Sequence, residues 1–217
     1  MKLLLLGATG RTGQLVLKRL LENRFPVHCL ARNTERIAKQ DGVTLFEGDA
    51  SNREDLERAI VGCDAVISVL NISRQSDFPW SGLRTPKAFL SETMKQLIPV
   101  AEFNCTKRLV VCSAWGVAET RKDLPRWFRW LIDTSNIGAS YADHERQERI
   151  IQDSTLDWTI VRPVGLTNSR KSQVVREIFD GKHKPRLTIN RHSVAQYLVD
   201  CLKSDRLIRK KVVISKD

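Results

Sequence analysis

Residues 2–21 constrain this chain more than any other stretch. Lys2-Leu3-Leu4-Leu5-Leu6 is an apolar run. Gly7-Ala8-Thr9-Gly10-Arg11-Thr12-Gly13 follows it, and then comes a helical pattern with Val16, Leu17, Leu20 and Leu21 on one stripe. The order is buried strand, glycine turn, amphipathic helix. Each glycine has a separate physical task. Gly7 lets the chain leave the strand in a tight turn, and Gly10 lets backbone N–H groups come close to a pyrophosphate. Gly13 falls on the face of Val16 and Leu17, where a missing Cβ lets helix and sheet close up. The helix start offers unpaired N–H groups and a positive dipole end to phosphates. The alternative is an ordinary glycine-rich turn, but a triplet set between a strand and an amphipathic helix favours a nucleotide. Gly7, Thr9, Gly10, Arg11, Thr12 and Gly13 are therefore candidate cofactor-binding residues.

The chain's 217 residues suffice for one α/β domain with a full core. The reading is a single unit over 1–217 with a small substrate-side portion at about 163–190, and without linker or repeat. No apolar stretch is long enough for a membrane span, and no cleavage-site pattern follows the first leucines. A cytoplasmic location is expected. Cys29, Cys63, Cys105, Cys112 and Cys201 are odd in number and scattered. They read as reduced, buried thiols rather than a disulfide frame, and no metal site is expected. The net charge of +11 is uneven, because residues 162–217 hold 14 Lys/Arg against 5 Asp/Glu. Either this quarter favours an anionic partner or it is a solvated basic surface.

Five further strands are expected: Phe25–Ala31, Val43–Glu47, Cys63–Leu70, Lys107–Cys112 and Asp157–Arg162, the last closed by Pro163. A final strand spans Lys211–Ser215. The end of the second strand is where a dinucleotide fold reads the adenosine ribose, with an acid for NAD or an arginine for the 2′-phosphate of NADP. Arg32 stands there without an acid, with Arg36 in the same turn and Arg11 in the glycine loop. NADP(H) is therefore preferred over NAD(H), unless Arg32 merely starts the next helix. Asp49 and Ala50 follow the third strand. Asp49 either meets the adenine or caps the helix that begins near Asn52. Leu70 and Asn71 end the fourth strand and should border the cofactor, and Ser73–Trp80 should be a substrate-side loop.

Pro86 is expected to open a helix to about Asn104, with a kink at Pro99. Arg121–Trp130 interleaves basic and aromatic residues, a pattern that can bind nucleic acid. It is read instead as an amphipathic helix with Trp127, Phe128 and Trp130 packed down, so a nucleic-acid partner is not expected. Ser140–Gln152 reads as a charged helix, and Thr188–Ala195 leads into another that ends near Lys203. Ser113, at the end of the fifth strand, either faces the nicotinamide or a substrate carbonyl, or caps a turn. His144 either contacts the ribose or supplies a proton, or is an exposed histidine on a charged helix.

Taken together, GATGRTG, the strand ending in Arg32, Gly48-Asp49, Cys112-Ser113-Ala114, Leu156–Pro163 and Ile189–Ala195 come in a familiar order. The chain resembles the atypical short-chain dehydrogenase/reductases, the NAD(P)H-binding group that includes NmrA-like proteins and biliverdin reductase B. The resemblance covers nearly the whole chain. It implies a doubly wound α/β Rossmann domain with a mostly parallel sheet and helices on both faces. It also implies that Pro163 and Val164 lie near the nicotinamide carboxamide. The larger superfamily places a Tyr and, four residues later, a Lys on the helix before the sixth strand. With Glu148 in the family's helix-glutamate position, those places fall on Ser140 and His144. Tyr141 is followed at the same spacing by Glu145, so no register yields Tyr-x-x-x-Lys. Ser193 replaces an aspartate of the family's Ser-Arg-x-Asp-Val-Ala motif, a change that bears on a helix cap.

These readings make Ser113, Tyr141 and His144 the candidate catalytic residues. The leading expectation is an NADPH-dependent reductase of a small planar acceptor, a flavin, quinone or tetrapyrrole, possibly anionic. The alternatives are a non-catalytic NADP(H) sensor of the NmrA type and, more weakly, a sugar-nucleotide epimerase or dehydratase. The oligomeric state is expected to be a monomer or a homodimer.

Overall fold

The computed structural model describes residues 1–171, 173–179 and 183–217. β1 (Leu3–Leu6) is four leucines, all buried. β2 (Val27–Ala31) and β4 (Ala65–Ser68) are buried along their whole length as well. Such continuous apolar runs are what a parallel sheet covered on both faces requires. Side chains alternate across a strand, so Leu3 and Leu5 feed one core while Leu4 and Leu6 feed the other. The first core receives Val16, Leu17 and Leu20 from α1 (Arg11–Glu22) and Val194 and Leu198 from α6 (Arg191–Asp200). The second receives Leu56 and Ile60 from α2 (Arg53–Ile60) and Leu90, Met94 and Leu97 from α3 (Phe89–Phe103).

The remaining strands are β3 (Val43–Glu47), β5 (Arg108–Cys112), β6 (Asp157–Pro163), β7 (Gly165–Thr167), β8 (Val175–Ile178), β9 (Thr188–Asn190) and β10 (Lys210–Lys216). The main sheet runs β3-β2-β1-β4-β5-β6-β10-β8, and β7 pairs with β9 in a small second sheet. Among the described residues, these strands pair in parallel except β10 with β8. The doubly wound, mostly parallel sheet with helices on both faces matches the expected class. The chain runs outward from β1 to β3 and then restarts at β4 on the other side of β1. That reversal is the switch point at which such sheets bind ligands, beyond the strand ends.

Several local expectations need correction. The helix expected from Pro86 begins at Phe89, with Pro99 inside it. Its start is held from outside, because the Leu90 N–H and the Ser91 hydroxyl each donate to the buried Asp143 carboxylate at 2.6 Å. Asn52, not Asp49, caps α2, its side chain accepting from the Asp55 N–H. Residues 121–130 are not one helix. A 3-10 turn at Ala118–Asp123 precedes α4 (Arg126–Thr134), of which only Ile132 is buried. Trp127 and Trp130 are 63% and 60% exposed rather than packed down. The last helix ends at Asp200 and continues as a 3-10 turn to Lys203.

Three short strands, β7, β8 and β9, lie within 163–190, where Ser172 and 180–182 fall outside the described residues. The five cysteines are free, and Cys105 is exposed, unlike the buried Cys29, Cys63 and Cys201. No helix among the described residues is long and apolar enough to cross a membrane.

Candidate functional site: a two-part groove at the switch point

A groove runs along the ends of β1, β2, β4, β5 and β6. Its narrower part, a cavity of about 390 Å³, is lined by Gly7, Thr9, Gly10, Arg11, Thr12, Arg32, Ala50, Leu70 and Asn71. Its wider part, about 810 Å³, is lined by Ser113, Tyr141, His144, Pro163 and Val164. Arg11, Asn71, Arg74, Asp77, Leu166 and Arg191 border both parts, so the two adjoin.

The narrow end is built from backbone. Gly7 has φ +91°, and a Cβ there would lie 3.0 Å from the Val69 carbonyl. Only glycine satisfies both conditions. A Cβ on Gly13 would lie 2.0 Å from the Gly7 oxygen, so this glycine sets how close α1 sits to the turn and does not line the groove. Gly10 occupies the N-cap position of α1, where no side chain caps the helix and no acid stands in the first turn. The free N–H groups and the positive dipole end therefore face the cavity.

Arg32 borders this end, with its guanidinium 5.9 Å from the centre of the Phe89 ring. Arg36 does not reach the groove; it borders a separate depression beside α1 with Gln14 and Lys18. Asp49 is turned away too. Its Oδ1 accepts from the Ser51 N–H at 2.8 Å and the Ser51 hydroxyl at 2.6 Å, which fixes the turn and leaves Ala50 on the groove. An uncapped helix start, a cradle that a Cβ would fill and an arginine at the end of β2 fit the pyrophosphate and adenosine half of a dinucleotide.

The wide end rests on a charge network that is buried at Ser113, Glu148 and Arg162. The Ser113 hydroxyl donates to Glu148 on α5 (Ile137–Gln152) at 2.5 Å. Glu148 also accepts from Arg162 on β6, at 3.0 Å from Nε and 2.5 Å from a terminal nitrogen. Arg162 reaches on to Glu119 at 2.8 Å, and Lys211 meets the same carboxylate at 2.9 Å. A guanidinium this deep requires such partners. Burial alone would raise the Glu119 pKa, but the hydrogen bonds from Arg162 and Lys211 outweigh it and hold Glu119 at about 2. Because the Ser113 proton is committed to Glu148, the hydroxyl offers lone pairs to the groove and can only accept there.

His144 is 3% exposed, against the alternative of a solvated histidine on a charged helix. Burial drives its pKa down to about 4, despite the neighbouring Asp143, so the ring is neutral at pH 7. Its Nδ1 lies 3.4 Å from the Gln147 amide nitrogen. With that nitrogen donating, the ring proton sits on Nε2. Burial raises Tyr141 to about 12, and its ring meets Phe128 edge-on at 6.2 Å. Ser140 also lines the wide cavity and donates to the Asn71 side chain, tying α5 to the end of β4. At α6, Asn190 supplies the helix cap, accepting from the Ser193 N–H at 2.7 Å.

Sequence reasoning missed Arg74, Asp77 and Arg191, which join the two parts of the groove. Arg11 forks onto Asp77 at 2.7 and 3.1 Å, bridging the glycine loop to the 73–80 loop. The signal available was only positional: a loop that leaves a strand at the switch point, and the first residue of the last helix. Trp127, Phe128 and Leu166 also border the wide part.

A family model described as NAD(P)H-binding matches residues 7–205. The photosystem II assembly factor Ycf39 of Synechocystis is 26% identical over 97% of this chain and 61% of its own length. A (4-alkanoyl-5-oxo-2,5-dihydrofuran-3-yl)methyl phosphate reductase of Streptomyces griseus is 40% identical over 35% of the chain and 27% of its own length. The chain thus spans about three fifths of the length of the Synechocystis relative. Among solved structures, the anaerobilin reductase ChuY of Escherichia coli O157:H7 superposes with a TM-score of 0.82 at 20% identity, over 100% of this chain and 97% of that one. A short-chain dehydrogenase/reductase of Veillonella parvula in complex with NADP gives 0.81 at 19% identity, over 99% and 94%. These likenesses carry the fold.

Proposed function

The chain belongs to the NAD(P)H-binding family, with the fold of the short-chain dehydrogenase/reductases and without their Tyr-x-x-x-Lys pair, and from that premise we propose an NADPH-dependent reductase of a small planar acceptor. The observation that carries this reading is that the two cavities adjoin, sharing six lining residues. A phosphate-cradling helix start and Arg32 stand at one end, and a cavity of about 810 Å³ with Ser113, Tyr141 and His144 opens at the other. Arg32, without an acid at the end of β2, supports NADP over NAD. The reductases among the similar proteins support the reaction class.

NADPH, when bound there, supplies a hydride. The chain's own residues position and exclude. The α1 start and Arg11 would hold the phosphates. His144, neutral, would offer its Nε2 proton to the ribose. Ser113 would accept from the carboxamide or from an N–H of the acceptor. Tyr141 at about 12 keeps its proton at neutral pH and shapes the pocket wall with Phe128. Flavins, quinones and tetrapyrroles take the matching proton from solvent, so the lack of an enzyme acid is tolerated.

A second reading, an NADP(H)-responsive binding protein, is favoured by one observation. Neither Tyr141 at about 12 nor His144 at about 4 titrates near neutrality, where a general acid works best. NADPH oxidation by the purified protein against FMN, menadione and biliverdin separates the two. Acceptor-dependent oxidation supports the reductase, and binding without turnover supports the sensor.

A further inference from the structure

We propose that Arg74 and Arg191 form a seat for an anionic group, a phosphate or a carboxylate, carried by the acceptor; this rests on the reductase reading and names its substrate class.

Among the described residues, the whole groove lining holds four arginines, Arg11, Arg32, Arg74 and Arg191, and a single carboxylate, Asp77. The anionic half of a dinucleotide accounts for two of these arginines. Arg32 stands at the end of β2, and Arg11 opens α1, where it is already forked onto Asp77 at 2.7 Å. Arg74 and Arg191 are left over. Both border the wide cavity as well as the narrow one.

Neither has an acid of its own. The Arg74 Nε is buried without a hydrogen-bond partner. Arg191 donates to a neutral amide, the Asn168 side chain, at 2.6 Å. Burial and the like charge of Arg11 both work against the Arg191 cation, with Asp77 the only opposing charge. An orphaned guanidinium donor in a partly desolvated wall is costly. A bound anion repays that cost through forked, charge-assisted hydrogen bonds, for which arginine geometry is suited. The position matters as much as the charge. Val164, Leu166, Asn168, Trp127 and Phe128 line the same cavity as both arginines. A planar acceptor in that cavity would be bordered by apolar side chains and by the two cations.

The test is binding to the NADP⁺-loaded protein, with two ligand pairs that share a ring system and differ in the charge of a side arm. FMN against riboflavin reports a phosphate. Biliverdin against its dimethyl ester reports carboxylates. In at least one pair the charged member should bind tighter by about tenfold or more. In the Arg74→Gln/Arg191→Gln protein, kept saturated with NADP⁺, that preference should shrink to within about threefold, with the neutral member's affinity unchanged. The pair that shows the preference identifies the source of the anion.

The seat is overturned if neither pair shows a charge preference or neither binds, or if the preference survives the double substitution. A charge preference without NADPH oxidation by either member would overturn the reductase reading and leave the seat standing. Arg191→Lys, which keeps the charge but not the fork, should retain part of the preference. If its loss equals that of Arg191→Gln, the forked contact is what matters, and if nothing is lost at Arg191 the seat is not there.

Discussion

Ser113, at the end of β5, and Glu148, in the middle of α5, share a buried hydrogen bond of 2.5 Å that ties the wall of the wide cavity to the Arg162 network. The bond decides what the serine can do, since its proton is spent on the carboxylate. Ser113→Ala should fold normally and slow acceptor reduction by about 10- to 100-fold, the range for a single oriented hydrogen bond. Glu148→Ala removes one partner of a buried cation. It should cost roughly 3–5 kcal/mol in urea unfolding. Equal and small effects of the two substitutions on stability would mean that the network is not holding Arg162.

Arg32 governs cofactor choice in this account. Arg32→Asp should weaken NADPH binding about tenfold or more, because a lost charge-assisted contact is worth roughly 1.5–3 kcal/mol. NADH binding should stay the same or improve. Equal losses for both cofactors, measured by fluorescence titration, would show that Arg32 does not read the 2′-phosphate.

Two glycines of one turn should respond differently. A Cβ on Gly10 would lie 3.3 Å from the Gly7 oxygen, close but tolerable, whereas one on Gly13 would lie at 2.0 Å. Gly10→Val should therefore remain folded and lose dinucleotide binding, since its branches fill the space in front of the α1 start. Gly13→Ala should lose stability, by about 1–3 kcal/mol or more, because helix and turn must separate. Circular dichroism melts together with NADPH titration distinguish the two outcomes.

The contrast shows what was legible in the sequence. The strand-turn-helix at the start is a local pattern, and spacing alone assigned each of its glycines. His144 was not legible in that way. Its helix is rich in charge, yet Asp143, Gln147 and Glu148 are buried with it, because Asp143 holds the start of α3 and Glu148 holds Arg162. Those partners are remote in sequence. Trp127 and Trp130 failed for the converse reason: an amphipathic pattern gives a face but not what covers it, and among the α4 side chains only Ile132 is buried. The strands β7 and β9, three residues each, are too short to carry a period, and Arg191 follows β9 directly as the first residue of α6. Asp49 and Arg36 had the right residue types in the right turns, but Ser51 and the side of α1 took their side chains away from the groove.

His144 also makes a pH prediction. Its folded pKa is lowered to about 4 from 6.5 by burial. Between those values the unfolded chain binds a proton that the folded chain refuses. Stability is therefore full above about pH 6.5 and is lost as the pH falls toward 4, by up to roughly 3 kcal/mol. In denaturant unfolding across that window, His144→Gln should show a shallower dependence than the parent. Parallel curves would mean that the ring is not held neutral.

The most direct test of the central claim is single-turnover oxidation of NADPH, followed by its near-ultraviolet absorbance, with FMN, menadione or biliverdin present or absent. NADPH deuterated at the transferred position runs alongside. The account predicts oxidation only when an acceptor is added, a slower rate with the deuterated cofactor, and loss of both in folded Gly10→Val. A protein that binds NADPH and oxidises none of it with any of the three acceptors would contradict the account.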